Sequence, residues 1–376
     1  MKLNYVISSL FAAVTLISLP VTTLLTPDDA VIESENRVIT PFPKMAEFTK
    51  GEFRFFFVML DKYVEDRLPF KDVIFKKLAQ YYNDNITSVN FPTAIEGNND
   101  WLFLGDSYKN VISQHIKDLP LDLEENAELI QLLLAMKNAY PKAYTTVLVC
   151  PDKHGIYWEE LPNYLRQKKE YRLALKKIQN HREHNVNVID LYPALKAEKA
   201  KKDNILYYKT DTHWSPNGAE AGFRELYRQL SDKITLSPLN FDLYEYSKKE
   251  NFQGDLVVIG GFYNHKETVN EFIPKYKVDW IYNGEKKEDY TDLTVNLAFP
   301  NTSHYMTNSR APNDLRVFWC GDSFSIALAP FINLAFKHVH YLSGSNCKLK
   351  YNSFLNEIRE FKPNLIIYEI IERNCP

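Results

Sequence analysis

Apolar positions follow three different rhythms along this chain. From Val6 to Leu25 they form an almost uncharged run of about the length needed to cross a bilayer. Lys2 precedes the run and Asp28, Asp29, Glu33 and Glu35 follow it, a charge asymmetry that predicts a cytoplasmic N-terminus and an exported remainder. The run is long for the core of a signal peptide, and Leu24-Leu25-Thr26-Pro27 is a poor small-x-small cleavage site. Residues 1–30 are therefore expected to be an uncleaved signal-anchor, with a cleavable signal peptide as the competing reading. A polar, proline-bearing linker, Ser34 to Pro43, comes next. Met45 to Tyr82 then shows helical spacing, with Phe53, Phe56, Phe57 and Leu60 at i, i+3, i+4 and i+7, Val64 on the same face, and Pro69 interrupting. Linker and helix together make a segment over 31–95.

From residue 96 onward the rhythm alternates between strand-like and helix-like stretches. Trp101 to Leu104 reads as the first strand of the main domain, which extends over 96–376. Leu121 to Asn138 reads as a helix, Thr145 to Cys150 as a strand, Tyr164 to His184 as a basic solvated helix, and Val186 to Leu191 as a strand. Ser215 and Pro216 supply an N-cap and a first-turn proline for a helix reaching about Leu230. Residues 231–312 read as an insertion containing short strands at Leu256 to Ile259, Val278 to Tyr282 and Leu293 to Leu297. The alternation then resumes: strand Leu315 to Cys320, helix Phe324 to Phe336, strand Val339 to Leu342, helix Tyr351 to Phe361, strand Leu365 to Ile371. Such alternation predicts an α/β domain with a mainly parallel sheet and helices on its faces. Reactive groups in such folds collect at the carboxyl ends of the strands.

Composition narrows the function. The 45 basic and 48 acidic residues give a formal charge of -3, which argues against a nucleic-acid partner. Twenty-four tyrosines suit a carbohydrate groove, and suit an ordinary core equally. The four cysteines, Cys150, Cys320, Cys347 and Cys375, contain no C-x-x-C pair, so a thiolate metal site is not expected. Cys150 and Cys320 end apolar runs and read as buried thiols, while Cys347 and Cys375 are a pair available for a disulfide in an oxidising compartment.

The candidate chemistry lies in two short stretches. Val317-Phe318-Trp319-Cys320 runs into Gly321-Asp322-Ser323, a strand feeding a turn that presents a serine at a sheet edge. Asp211-Thr212-His213-Trp214 supplies an imidazole that titrates near neutrality and a carboxylate two residues before it. Ser323 as nucleophile, His213 as general base and Asp211 as the group orienting His213 make a triad of the hydrolase kind. The Ser323 N–H is a natural oxyanion donor, and Gly254, in Gln253-Gly254-Asp255-Leu256, is a candidate for a second. Lys153, His154 and Tyr157 follow a strand end and are candidates for lining a substrate groove, with loop packing as the alternative. Glu369, Glu372 and Arg373, at the end of the last strand, read as a buried ion pair or as site residues. His338 and His340 alternate along a short strand and read as a surface face. Gly105-Asp106-Ser107 repeats the serine tripeptide, and spacing alone does not choose between Ser107 and Ser323.

Asp211-Thr212-His213-Trp214-Ser215-Pro216-Asn217-Gly218 resembles the D-x-H-W-[ST]-x-x-G motif of the alginate O-acetyltransferase AlgJ/AlgX-type family. Gly321-Asp322-Ser323-Phe324-Ser325, with Pro330 beyond it, resembles that family's nucleophile segment. Asp66-Arg67-Leu68-Pro69-Phe70, Trp101-Leu102-Phe103-Leu104 and Pro151-Asp152-Lys153-His154-Gly155-Ile156-Tyr157 agree in order, so the resemblance covers nearly everything after the apolar run. It implies a three-layer SGNH-hydrolase-like domain and selects Ser323 over Ser107. It also implies an exported, membrane-anchored enzyme of the AlgJ type, with its catalytic domain on the periplasmic or extracellular side. Such an enzyme moves acetyl groups on to a polysaccharide, is fed by a membrane-bound O-acyltransferase partner, and needs no metal or other cofactor. A carbohydrate acetyl esterase with the same triad, and a non-catalytic polysaccharide-binding subunit of an export complex, are the alternatives.

Overall fold

A computed structural model describes residues 26–27, 30–32, 37–45, 53–67, 77, 93–116, 123–162, 165, 187–201, 204–241, 244–274, 280–282, 285–287, 304–343 and 351–375. The chain forms two compact units, Met1–Thr87 and Ser88–Pro376. No helix among the described residues is long and apolar enough to cross a membrane, and the apolar run from Val6 to Leu25 lies outside them. So do most of the expected basic helix from Tyr164 to His184 and the expected strand from Leu293 to Leu297.

In the first unit, the stretch read as a linker contains a short hairpin, β1 (Val31–Ile32) with β2 (Arg37–Val38). Ile39 and Thr40 behind it are buried. Helix α1 (Phe53–Asp66) forms inside the expected helical segment but buries a different stripe. Phe56 and Met59 are inside, whereas Phe57 is 56% exposed. The sequence FRFFFVML is so uniformly apolar that its spacing fits more than one face. Beyond α1, Arg67 donates from Nη1 to the Thr40 carbonyl (2.8 Å) and stacks on the Tyr63 ring (3.8 Å).

The second unit is built on an eight-stranded sheet. Its strands are β5 (Tyr144–Cys150), β6 (Val188–Asp190), β9 (Trp280–Tyr282), β10 (Glu285–Lys287), β11 (His304–Asn308), β12 (Asn313–Gly321), β13 (Phe336–Ser343) and β14 (Leu365–Ile371). They lie in the order β10-β9-β11-β13-β12-β14-β5-β6. The five from β13 to β6 run parallel. The remaining three are antiparallel, so the sheet is mixed rather than mainly parallel. The three strands of that antiparallel wing, β9, β10 and β11, all lie within residues 231–312.

The parallel strands explain the three layers. Their apolar runs are continuous, as expected for strands covered on both faces, and alternate residues enter opposite cores. Leu148, Trp319 and Ile367 belong to one cluster. Val147, Phe318, Cys320 and Ile366 belong to the other. The second cluster is closed by α3 (Leu123–Ala139) and α9 (Tyr351–Phe361). The first is closed by α6 (Pro216–Ser231) and α8 (Phe324–Ala335). Between β5 and β6, α4 (Lys153–Ile156) caps the carboxyl end of β5, and α5 (Tyr192–Lys199) follows β6.

Three further expectations change. Leu102–Leu104 is β4, paired antiparallel with β3 (Ala94–Glu96) in a small sheet of its own, and does not open the main one. Leu256 to Ile259 lies in helix α7 (Asp255–Gly260), because a four-residue apolar run fits a helix turn as well as a strand. The ends of α7 carry the missing signal: Asp255 in its first turn and Gly261 at φ 76° just past its last. Helix α7 lies between β7 (Tyr244–Phe252) and β8 (Glu267–Pro274), which pair with each other. His340 is buried, with its Nε2 3.3 Å from Glu357, and only its neighbour His338 is on the surface.

Candidate active site

The serine arrives on β12. All of Val317 to Gly321 is buried, and Ser323 emerges exposed immediately before α8. The turn is locked from below by Glu369 of β14, whose Oε2 accepts from the Asp322 N–H (2.9 Å) and the Ser325 hydroxyl (2.6 Å). Asp322 is turned away from the serine: its carboxylate accepts from the N–H groups of Phe324 (3.0 Å) and Ile371 (2.9 Å). Burial, together with the neighbouring Asp322 charge, pushes the Glu369 carboxyl well above the usual range.

The histidine arrives on the segment between Tyr207 and Trp214, which bridge each other antiparallel. This segment is held from three sides. Beneath it, Lys153 Nζ donates to the carbonyls of Tyr208 (3.1 Å), Lys209 (3.2 Å) and Asp211 (2.7 Å). From β8, Glu267 accepts from the N–H groups of Lys209 (3.0 Å) and Thr210 (2.7 Å) and from the Thr210 hydroxyl (2.6 Å). From α7, Asp255 accepts from the Thr212 N–H (2.7 Å) and hydroxyl (2.5 Å). The rest of the Asp-Thr-His-Trp-Ser-Pro-Asn-Gly motif is equally mechanical. Ser215 Oγ accepts from the Gly218 N–H (3.3 Å) as the N-cap of α6, and Trp214 Nε1 donates to the Phe324 carbonyl (3.1 Å) on the serine's helix. A Cβ on Gly218 would stand 2.1 Å from the Leu206 carbonyl oxygen, so only glycine lets α6 start there.

These supports bring Asp211, His213 and Ser323 together. His213 Nδ1 lies 2.7 Å from Asp211 Oδ1, and His213 Nε2 lies 2.8 Å from Ser323 Oγ. A carboxylate only accepts, so Nδ1 carries the proton and the Nε2 lone pair faces the serine hydroxyl. The His213 N–H also donates to Asp211 Oδ1 (2.9 Å), and the Asp255 N–H donates to Asp211 Oδ2 (3.1 Å). Burial works against the Asp211 charge, but the hydrogen bond and charge of His213 outweigh it and hold the carboxyl at about 2. Burial likewise opposes the imidazolium, yet Asp211 and then Asp255 raise His213 above its ordinary value. Asp255 Oδ2 is 3.7 Å from His213 Nδ1, and burial plus the Asp211 charge push the Asp255 carboxyl up to about 6. The arrangement can draw a proton from Ser323 and hold it as an imidazolium between two carboxylates.

Other expected site residues stand elsewhere. Gly254 is no oxyanion donor, because its N–H is taken by Thr210 Oγ1 (3.0 Å). Its place is steric: a Cβ would sit 2.4 Å from Asp211 Cβ and 2.5 Å from the Thr210 carbonyl oxygen. Lys153, His154 and Tyr157 do not line a groove. Lys153 is 2% exposed and clamps the histidine segment, with burial lowering its ammonium to about 8. His154 Nε2 pairs with the Leu104 carbonyl (2.9 Å), and the Tyr157 hydroxyl accepts from the Leu206 N–H (2.9 Å). Ser107 lies in the turn before α2 (Val111–Ile116), where Asp106 accepts from the Ser113 N–H (2.8 Å). The sequence reading gave no role to Asp255, Thr212 or Glu267: Asp255 stood in the Gln-Gly-Asp-Leu stretch around Gly254, Thr212 inside the Asp-Thr-His-Trp motif, and Glu267 in neither. Cys320 is disulfide-bonded, whereas Cys150 and Cys375 are buried and outside any disulfide, so Cys375 is not bridged to Cys347.

Residues 94–289 match the model of the SGNH hydrolase-like domain of acetyltransferase AlgX, more than half of the chain's 376 residues, the match ending before Ser323. No curated protein matches the sequence. Among solved structures, Bacillus cereus PatB1 bearing a sulfonyl adduct superposes with a TM-score of 0.55 at 17% identity, over 75% of this chain and 96% of that one. The O-acetyltransferase domain of Pseudomonas putida AlgJ gives 0.48 at 17% identity over 76% and 92%. Pseudomonas aeruginosa AlgX gives 0.46 at 16% identity over 78% and 65%. The chain belongs to the SGNH-hydrolase-like acetyltransferase family of AlgX, a family of O-acyltransferases.

Proposed function

We propose that the protein O-acetylates a polysaccharide of the cell envelope or extracellular matrix through an acetyl-serine at Ser323. His213 Nε2 takes the Ser323 proton as Oγ bonds to the carbonyl carbon of an acetyl donor, and the donor's leaving group departs with that proton. A sugar hydroxyl then gives its proton to His213 and attacks the acetyl-serine, and Ser323 regains a proton as the ester passes to the sugar. Asp211 fixes the tautomer and stabilises the imidazolium. The observation carrying this reading is the unbroken Asp211–His213–Ser323 chain at 2.7 and 2.8 Å. Exposure of Ser323 suits an acceptor as large as a polymer.

The acetyl group would come from a membrane-bound O-acyltransferase partner. Residues 1–30 would anchor the chain, leaving the second unit on the exported side. The Cys320 disulfide supports that side, since disulfides persist in oxidising compartments.

The test is acetyl transfer from p-nitrophenyl acetate to an oligouronate or a neutral oligosaccharide, read by mass spectrometry, with wild type and Ser323→Ala side by side. The reading expects acetylated sugar and a transient acetyl group on the Ser323 peptide from the wild type alone. Free acetate without acetylated sugar would make the protein an esterase. Equal products from both proteins would remove Ser323 from the chemistry.

A further inference from the structure

Attack on an ester leaves a negative oxygen that needs donors, and the described structure offers few. The Ser323 N–H, at the start of α8, has no acceptor among the described residues, while the Gly254 N–H is spent on Thr210. A cation stands nearby. The Ile371 N–H is bonded to Asp322 (2.9 Å), which brings the end of β14 against the serine turn, and Arg373 follows two residues later. Its guanidinium carbon lies 5.6 Å from the centre of the Phe324 ring, and the His213 ring lies 5.3 Å from that same ring. The Tyr108 ring, 50% exposed, has its centre 5.8 Å from the guanidinium carbon.

Arg373 is only 8% exposed, yet its hydrogen bonding is incomplete. Nη1 donates to Asp152, which is itself fixed by His115 Nε2 (3.5 Å) and by its own N–H to Glu372 Oε2 (3.0 Å). Nε is buried without a partner, and among the described residues Nη2 has no acceptor either. Buried donors in native proteins are rarely left unpaired without a use for them. Here one edge of the fork is anchored and the remaining N–H groups are held in reserve beside the nucleophile's helix.

We propose that Arg373 is the second oxyanion donor of this site, sharing with the Ser323 N–H the charge that develops on the acetyl carbonyl oxygen. This rests on Ser323 being the nucleophile. As Oγ bonds to the carbonyl carbon, the C=O π pair moves to oxygen while His213 holds the serine proton. Arg373 keeps all its protons and lends only hydrogen bonds. When the oxyanion collapses, the C=O bond reforms and the leaving group takes the proton from His213.

The experiment compares wild type, Arg373→Gln, Arg373→Ala and the double variant Asp152→Asn/Arg373→Gln, measuring kcat and KM on p-nitrophenyl acetate and the melting temperature of each. Loss of one oxyanion donor predicts a fall of roughly 10²- to 10³-fold in kcat for Arg373→Gln, with KM within a few-fold of wild type. Arg373→Gln also strands the buried Asp152 charge, so its melting temperature drops. Asp152→Asn/Arg373→Gln removes both charges and recovers the melting temperature without recovering kcat. Millimolar guanidinium should raise kcat of Arg373→Ala at least tenfold and leave the wild type unchanged. The proposal is overturned if the double variant regains kcat along with its melting temperature, or if Arg373→Gln stays within threefold of wild type. Should Ser323→Ala match wild type in the same assay, the nucleophile reading fails first and this one with it.

Discussion

The histidine's working range is set first by Asp211 and then by Asp255, a carboxylate that the sequence motif does not contain. Asp255 touches Thr212 through two hydrogen bonds and faces His213 Nδ1 at 3.7 Å, so its negative charge favours the imidazolium. A general base works only when neutral, hence kcat/KM should fall as pH drops through the raised pKa of His213. Asp255→Asn removes a charge that raises that pKa, so the acid limb should move to lower pH. The weaker base should cost less than about tenfold on the plateau. A pH–rate profile from acid to mildly alkaline conditions checks this; a limb that stays put or moves up sinks it. The same group leaves a thermodynamic mark. Its folded-state carboxyl sits at about 6, above the ordinary value, so its protonated form favours folding at low pH. That contribution is lost as pH rises through about 6, and Asp255→Asn should flatten this step in stability. Asp211, His213 and Ser323 were legible because each sits in a short motif. Asp255 was not, because its partner is 43 residues away and met only through the fold.

Helix α7 shows how one element serves the site by bracing the histidine segment. Its N-terminal residues press on the histidine segment so closely that Gly254 has no room for a methyl group, with Asp211 Cβ and Cα at 2.4 and 2.6 Å. The Leu256 N–H bonds to the Thr210 carbonyl (3.1 Å) and tightens the same contact. Gly254→Ala should therefore displace Asp211 or α7 by a few tenths of an ångström or more. The expected cost is about 1–3 kcal/mol of stability and a larger loss of activity, since catalytic geometry tolerates less movement than folding does. Melting temperature and kcat measured on one preparation separate the two, and an active, destabilised variant would refute the link. The strands and helices of the parallel half were readable because runs such as Val317 to Cys320 fill both faces of a covered sheet. Leu256 to Ile259 misled for a physical reason: four apolar residues fix burial but not periodicity, and the deciding signals were the flanking Asp255 and Gly261.

At the scale of the whole molecule, the serine turn is held by strand registry, by Glu369 beneath it and by a disulfide at Cys320, one residue before Gly321. In the antiparallel wing β9-β10-β11, the expected strand from Val278 to Tyr282 contains β9, but the strand order was illegible because it is set by which edges pair, and local pattern carries no record of it. A chain starting at Pro27 keeps the β1–β2 hairpin and drops the apolar run. If that run is the anchor, the full chain should sediment with membranes and resist salt extraction, while the shortened chain should be soluble and equally active on p-nitrophenyl acetate. A full-length chain found in the soluble fraction would end the anchor reading. The disulfide gives an independent check on compartment. Its loss should cost on the order of 2–5 kcal/mol, enough to lower the melting temperature by at least about 5 °C. Thiol titration of protein taken from the exported fraction should find Cys320 oxidised, and dithiothreitol should lower both the melting temperature and the acetyl-transfer rate. A protein indifferent to dithiothreitol would show that sheet registry and Glu369 alone hold the turn, and the argument for an oxidising compartment would fall with it.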